Sequence, residues 1–224
     1  GDKQKSDEFT AHASELRDAL IRAVHEVHPG VQFEIPALQL ENCATFLKQF
    51  DAIFTINYDL LLYWVIVNKL KDKFSDGFGL GEPEDGFKTF NPAGYCATYY
   101  LHGALHLFLS ERRDTLKRLL EGNTIIDDIA KTIKTRKQLP LFVAEGTSSQ
   151  KMAKINSVPY LKVCYDELSG LGGCLFVFGL SANQRDRHIF DAIFQSKLRR
   201  LFFFIHQPQD GYAIIRENLA AYSV

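Results

Sequence analysis

This sequence predicts an α/β domain of three layers, a mostly parallel sheet with helices on both faces, and three observations predict it. Short apolar runs alternate with segments whose apolar residues follow helical spacing. The runs Cys174-Leu175-Phe176-Val177-Phe178 and Leu201-Phe202-Phe203-Phe204-Ile205 have no polar face, as expected of strands buried on both sides in a parallel sheet. Nearly every run ends in small or polar residues, and in open parallel sheets ligands bind beyond the carboxyl ends of the strands.

The elements follow in order. Leu16, Ala19, Leu20, Ala23, Val24 and Val27 mark a helix from Ala11 to His28, stopped by Pro29-Gly30. A second helix covers Glu41 to Gln49. Residues 52–57, Ala-Ile-Phe-Thr-Ile-Asn, read as a buried strand, and Asp59 can cap a helix from Leu60 to Leu70. Residues 75–95 carry five glycines and two prolines and read as one long loop, a mobile lid. Its Gly77-Phe78-Gly79-Leu80-Gly81 stretch is a poor phosphate loop, because Glu82, Glu84 and Asp85 would repel a pyrophosphate. Thr98 to His102 is the next strand. Arg112 to Leu120 and Ile125 to Lys137 read as helices, Leu139 to Val143 as a strand, and Ser157 to Leu168 as a helix with Pro159 in its first turn. The two all-apolar strands come next, separated by a helix from Arg185 to Leu198, and a helix from Tyr212 to Tyr222 closes the chain.

Composition narrows the function classes. At 224 residues, 46% hydrophobic and 24% charged, the chain has room for one domain over residues 1–224 with a proper core. A net charge of -1 excludes a strongly basic nucleic-acid binder and an acidic disordered tail, so no direct nucleic-acid partner is expected. No run of about eighteen apolar residues exists to cross a membrane. Cys43, Cys96, Cys164 and Cys174 are scattered without a C-x-x-C pair, which suits free thiols in a reducing cytoplasm and argues against a four-cysteine zinc site. The 18 phenylalanines have a natural place between sheet and helices. The only methionine is Met152 and the chain opens Gly1-Asp2-Lys3, which reads as a processed, tag-derived or truncated start.

Chemistry concentrates at the strand ends. Asn57 offers a donor and an acceptor for a ribose hydroxyl or a water, or makes an Asx turn into the next helix. Asp59 caps that helix or contacts a ligand. His102, before Gly103, can serve as a general base near neutral pH or as a satisfied structural histidine. His106 lies four residues on, but no nearby carboxylate or thiol completes a metal set, so no metal is expected. Gly179-Leu180-Ser181 can cradle a phosphate or ribose through backbone N–H groups and a hydroxyl, or simply turn the strand into a helix capped by Ser181 or Asn183. Arg185 and Asp186 lie at the same helix start. Thr147 and Ser148, after Glu145-Gly146, make a comparable polar turn, and Lys151 and Lys154 could attract phosphate.

The pieces Thr55-Ile56-Asn57-Tyr58-Asp59-Leu60-Leu61, Tyr100-Leu101-His102-Gly103-Ala104, Phe142-Val143-Ala144-Glu145-Gly146 and Val177-Phe178-Gly179-Leu180-Ser181 with Asp186 come in a familiar order. In these the chain resembles the sirtuin-like NAD-binding superfamily, and within it a bacterial family that is a domain of unknown function. The resemblance runs from about residue 50 to 206 and implies a Rossmann-like domain with an NAD pocket, NAD being substrate or ligand. It implies that Asn57 contacts the nicotinamide ribose and positions a water, and that His102 is the catalytic histidine. Gly179 and Ser181 would contact the ribose and phosphates of the adenosine half, with Thr55, Tyr58, Asp59, Gly103 and Asp186 also lining the cofactor. Related bacterial defence proteins cleave NAD at the glycosidic bond. The paired-cysteine zinc module of sirtuin deacylases is absent, which argues against protein deacylation. The superfamily's first strand and its glycine turn around the pyrophosphate have no counterpart upstream of Ala11. Either that strand is missing from this chain, or this member binds NAD poorly or not at all. The expected activity is hydrolysis of the nicotinamide–ribose bond. The alternative is a non-catalytic module for NAD, ADP-ribose or another nucleotide, or a degenerate domain that acts through an effector partner or a second copy.

Overall fold

Pro29 lacks a backbone N–H, and the first helical segment ends just before it, with the His28 N–H bonded to Val24 O. The computed structural model describes His12, Glu15 and residues 18–26, 28–79, 85–119, 125–143, 146–205 and 208–222. Residues 18–26 are helical, and the rest of the helix expected from Ala11 to His28 lies largely outside the described residues. The chain divides into two compact units, Gly1–Phe142 and Val143–Val224.

The first unit holds α1 (Ala37–Leu47), β1 (Ile53–Thr55) and α2 (Leu61–Val65), which continues as a π-helical turn over Ile66–Leu70. Then come β2 (Phe87–Thr89), β3 (Thr98–Tyr100), β4 (Gly103–Ala104), β5 (Leu107–Leu109), β6 (Thr115–Arg118), α3 (Ile125–Arg136) and β7 (Leu141–Phe142). β1 pairs with β3 in parallel. β2, β6 and β5 form an antiparallel sheet, and β4 pairs antiparallel with β7. The isoleucines at 125, 126, 129 and 133 in α3 follow helical spacing and pack against Leu60, Tyr63, Trp64, Phe87 and Phe108. A second cluster joins Ala44 of α1 to Val65, Ile66, Leu70, Phe74 and Ala97.

Several expectations are corrected here. The three-layer Rossmann-like domain with a mostly parallel sheet is not formed. The sheets are small and mixed, and among the described residues parallel pairing is confined to β1–β3 in this unit and one strand pair in the other. The spacing explains it. Only residues 110–114 separate β5 from β6, enough for a hairpin, whereas a parallel crossover needs roughly a dozen residues or more. Within the segment read as a helix from Arg112 to Leu120, residues 115–118 are strand β6 instead, and Leu120 lies outside the described residues. Its Thr115 and Lys117 alternate inward, and Lys117 is held in the interior by Asp76, its Nζ lying 2.7 Å from both carboxylate oxygens. Within the expected loop 75–95 the structure forms β2 and an isolated bridge between Asp76 and Cys96, while residues 80–84 lie outside the described residues.

The second unit runs α4 (Ser148–Asn156), α5 (Pro159–Gly170), β8 (Gly172–Phe178), a 3-10 turn (Gln184–Asp186), α6 (Arg187–Gln195), β9 (Lys197–Phe204) and α7 (Pro208–Ala220). α4, absent from the sequence reading, starts with a capping box in which Thr147 and Gln150 satisfy each other's backbone N–H. β8, α6 and β9 form a parallel β-α-β unit. On one face Phe203 meets Phe190 of α6, which stacks on Tyr222. On the other, Phe176 stacks on Phe202 and Phe178 on Phe204, with centroids 4.6 and 4.3 Å apart. These four rings are 37–49% exposed, so the expectation of two-sided burial fails for this strand pair.

Two substitutions test this packing. Gly103 has φ +82, and a Cβ there would lie 1.9 Å from Leu141 O of β7. Gly103→Ala should cost about 2–4 kcal/mol, from left-handed strain plus the clash, and lower the thermal midpoint accordingly. Lys117→Met strands the Asp76 carboxylate in the interior and should cost about 3–5 kcal/mol in urea unfolding.

Candidate functional site

The parallel pair sets the geometry of the first unit's site. β1 and β3 align Ile53 with Thr98, Phe54 with Tyr99 and Thr55 with Tyr100. The Leu101 N–H extends the ladder to Thr55 O at 2.9 Å. Asn57 and His102 each lie two residues beyond the Thr55–Tyr100 pair, so both leave the same end of the same two strands.

The local turn presents Asn57 outward. Its backbone N–H donates to Thr55 Oγ1 at 3.1 Å, so the hydroxyl makes the turn. The Asn57 side chain is exposed and has no hydrogen-bond partner among the described residues. Tyr58 is half-buried; its carbonyl accepts the Leu105 N–H at 2.8 Å and its ring sits edge-on to Phe142. Asp59 Oδ1 accepts the Leu61 N–H at 2.9 Å across the turn before α2, whose N-cap position is Leu60 and not Asp59. His102 is buried, 3% exposed. The close approach at Gly103 is made by β7, as its contact with Leu141 shows.

His106, the second histidine of the spacing, is fully buried between the rings of Tyr63 and Tyr100, with centroids 4.4 and 5.0 Å away. Neither ring nitrogen has a hydrogen-bond partner among the described residues. Burial, reinforced by the Lys117 ammonium, holds its pKa well below the usual histidine range. It therefore serves as a neutral core ring.

In the second unit, β8 runs straight into the Gly179-Leu180-Ser181 turn. Gly179 has φ +69 with open space where a Cβ would be, so backbone conformation alone selects glycine there. Ser181 is exposed, and its carbonyl accepts Asn218 Nδ2 at 3.3 Å. The Tyr222 hydroxyl donates to Ala182 O and Asn183 O at 3.2 and 3.0 Å, pinning the turn from behind. Asn183 Oδ1 accepts the Arg185 N–H at 2.9 Å and is the residue that caps. Asp186 is engaged by Lys151 of α4 at 2.8 Å, with both side chains largely buried.

A constellation that sequence reading saw only in part surrounds that ion pair. Ser148 Oγ accepts the His188 N–H at 2.8 Å and lies 3.3 Å from His188 Nδ1. Burial pushes His188 down to about 4; the Lys151 ammonium pushes the same way, and the carboxylates of Asp186 and Asp191 oppose it. Ser148 and Lys151 stand out in sequence after Gly146. His188 gives no local signal, because a histidine in an apolar helix face reads as core.

A profile of the DUF4917 family, described as a domain of unknown function, matches residues 2–220. The chain belongs to that family. No curated protein matches it. Among the described residues, no helix is long and apolar enough to cross a membrane.

The His188 environment gives a pH prediction. An unfolded histidine takes a proton near 6.5, whereas the folded one resists until about 4. The unfolded chain therefore binds more protons between these values, and stability falls as pH drops from about 6.5 to about 4. His188→Gln should flatten this part of the curve, read from urea midpoints at pH 7 and pH 5.

Proposed function

We propose that this chain binds NAD and hydrolyses its nicotinamide–ribose bond. The observation that carries the reading is the β1–β3 register, in which Asn57 and His102 each follow the same end of a parallel strand pair by two residues. The N-Y-D and L-H-G pieces that resemble sirtuin-like NAD-binding proteins supply the ligand. The reading rests on these local ends and needs no Rossmann-like sheet.

In this chemistry the bond from the ribose C1′ to the nicotinamide nitrogen breaks, and nicotinamide leaves with the bonding pair. Positive charge spreads over C1′ and the ring oxygen, as in glycoside hydrolysis. The Asn57 carboxamide, unengaged among the described residues, orients a water toward C1′. His102 accepts the proton lost as the water oxygen bonds to C1′. The products are ADP-ribose, nicotinamide and a proton.

The burial of His102 favours a second reading, a nucleotide-binding module that holds NAD or ADP-ribose without turnover. Incubation with NAD separates the two. Hydrolysis predicts nicotinamide release that falls about 100-fold or more in Asn57→Ala and in His102→Ala, both still folded. Intact NAD after prolonged incubation, together with a thermal shift by NAD or ADP-ribose, would favour the binding module instead.

A further inference from the structure

The turn that carries Asn57 runs into α2 at Leu60, whose backbone N–H is bonded to a side chain 32 residues upstream. The Leu60 N–H donates to His28 Nε2 at 3.0 Å. Leu60 is fully buried, so no water can serve this N–H, and an unmet buried donor is costly. The other ring nitrogen of His28, Nδ1, lies 2.8 Å from Pro29 O. A carbonyl oxygen can only accept, so Nδ1 carries the proton and Nε2 presents its lone pair to Leu60. One neutral tautomer satisfies both contacts. The ring is held edge-on to Trp64, with centroids 4.9 Å apart at 76°. The Trp64 N–H in turn bonds Leu60 O at 2.8 Å.

We infer that His28 is a positioning residue for the Asn57 turn, its Nε2 lone pair fixing residues 57–60 against the start of α2. The assignment of what is positioned rests on the reading of Asn57 above; the latch itself rests on geometry alone. The turn is thereby held at both ends. Thr55 Oγ1 accepts the Asn57 N–H at one end, and His28 and Asp59 accept the successive N–H groups of Leu60 and Leu61 at the other. Asn57 stands between these clamps. A neutral imidazole suits the Leu60 position, because an imidazolium would set a second N–H against the Leu60 N–H.

Two variants separate the acceptor from the ring. His28→Phe keeps an aromatic face for Trp64 but has no acceptor, whereas His28→Gln offers an amide oxygen at similar reach. Amide exchange of Leu60 in the full chain should be about ten- to hundred-fold faster in His28→Phe, the equivalent of an unmet buried N–H. Exchange at Ile129, in the same core cluster, should stay unchanged. His28→Gln should return Leu60 exchange to within about three-fold of the parent. In nicotinamide release, His28→Phe should lower kcat with little change in KM, and His28→Gln should restore it. Unchanged Leu60 exchange in His28→Phe, equal acceleration at Ile129, or a His28→Gln variant that behaves like His28→Phe would each overturn the latch. If the parent chain releases no nicotinamide, the hydrolase reading falls, while the exchange data still decide the role of His28.

Discussion

A buried lysine–aspartate pair organises the first unit. Lys117 and Asp76 are each 9% exposed, and the ammonium sits over the rings of Phe78 and Tyr63 at 5.3 and 5.9 Å. Removing either charge would leave the other unpaired in the interior, so the two are committed to each other. That commitment turns Lys117 inward from β6, whose backbone pairs with β5 and β2, and ties the segment around Asp76 to that sheet. The same loop supports the start of β3, since Ser75 O accepts the N–H groups of both Ala97 and Thr98. The far end of β3 delivers His102.

The site itself is built mainly from backbone. A short parallel ladder brings two strand ends level, a threonine hydroxyl turns the chain, and a glycine at φ +82 lets β7 close over the segment beyond His102. The Asn57 side chain is exposed and makes no hydrogen bond among the described residues. The second unit is organised the opposite way. Lys151–Asp186 and Ser148–His188 tie α4 to the start of α6, and Tyr222 pins the turn after β8. Polar side chains there hold helices and turns together. Asp186, expected to meet a cofactor, is engaged in that framework.

The helix at Ile125–Arg136 was legible because its isoleucines follow helical spacing, and the helix at Pro159–Gly170 because proline sits at its start. The β-α-β order of the second unit was legible because each strand is a long apolar run. Residues 115–118, within the segment that reads as a helix from Arg112 to Leu120, are a strand because they pair with β5 and with β2, and Lys117 faces inward onto Asp76, 41 residues away. The phenylalanine runs read as buried on both faces, yet the rings at 176, 178, 202 and 204 stack on one another on a face where they stay exposed.

What the sequence determined by itself was the set of strand-end residues. Asn57, His102, Gly179 and Ser181 lie just beyond strands that form, because strand and helix boundaries follow local apolar spacing, glycine and proline. Tertiary structure decided how those ends are arranged and which side chains remain available. Register is a relation between strands far apart in sequence, and burial depends on what packs against each face. The pairing of Thr55 with Tyr100, the engagement of Asp186 by Lys151, the acceptor that His28 offers to Leu60 and the division into small mixed sheets are all relations of this kind. They arise from long-range partners that no window of sequence contains.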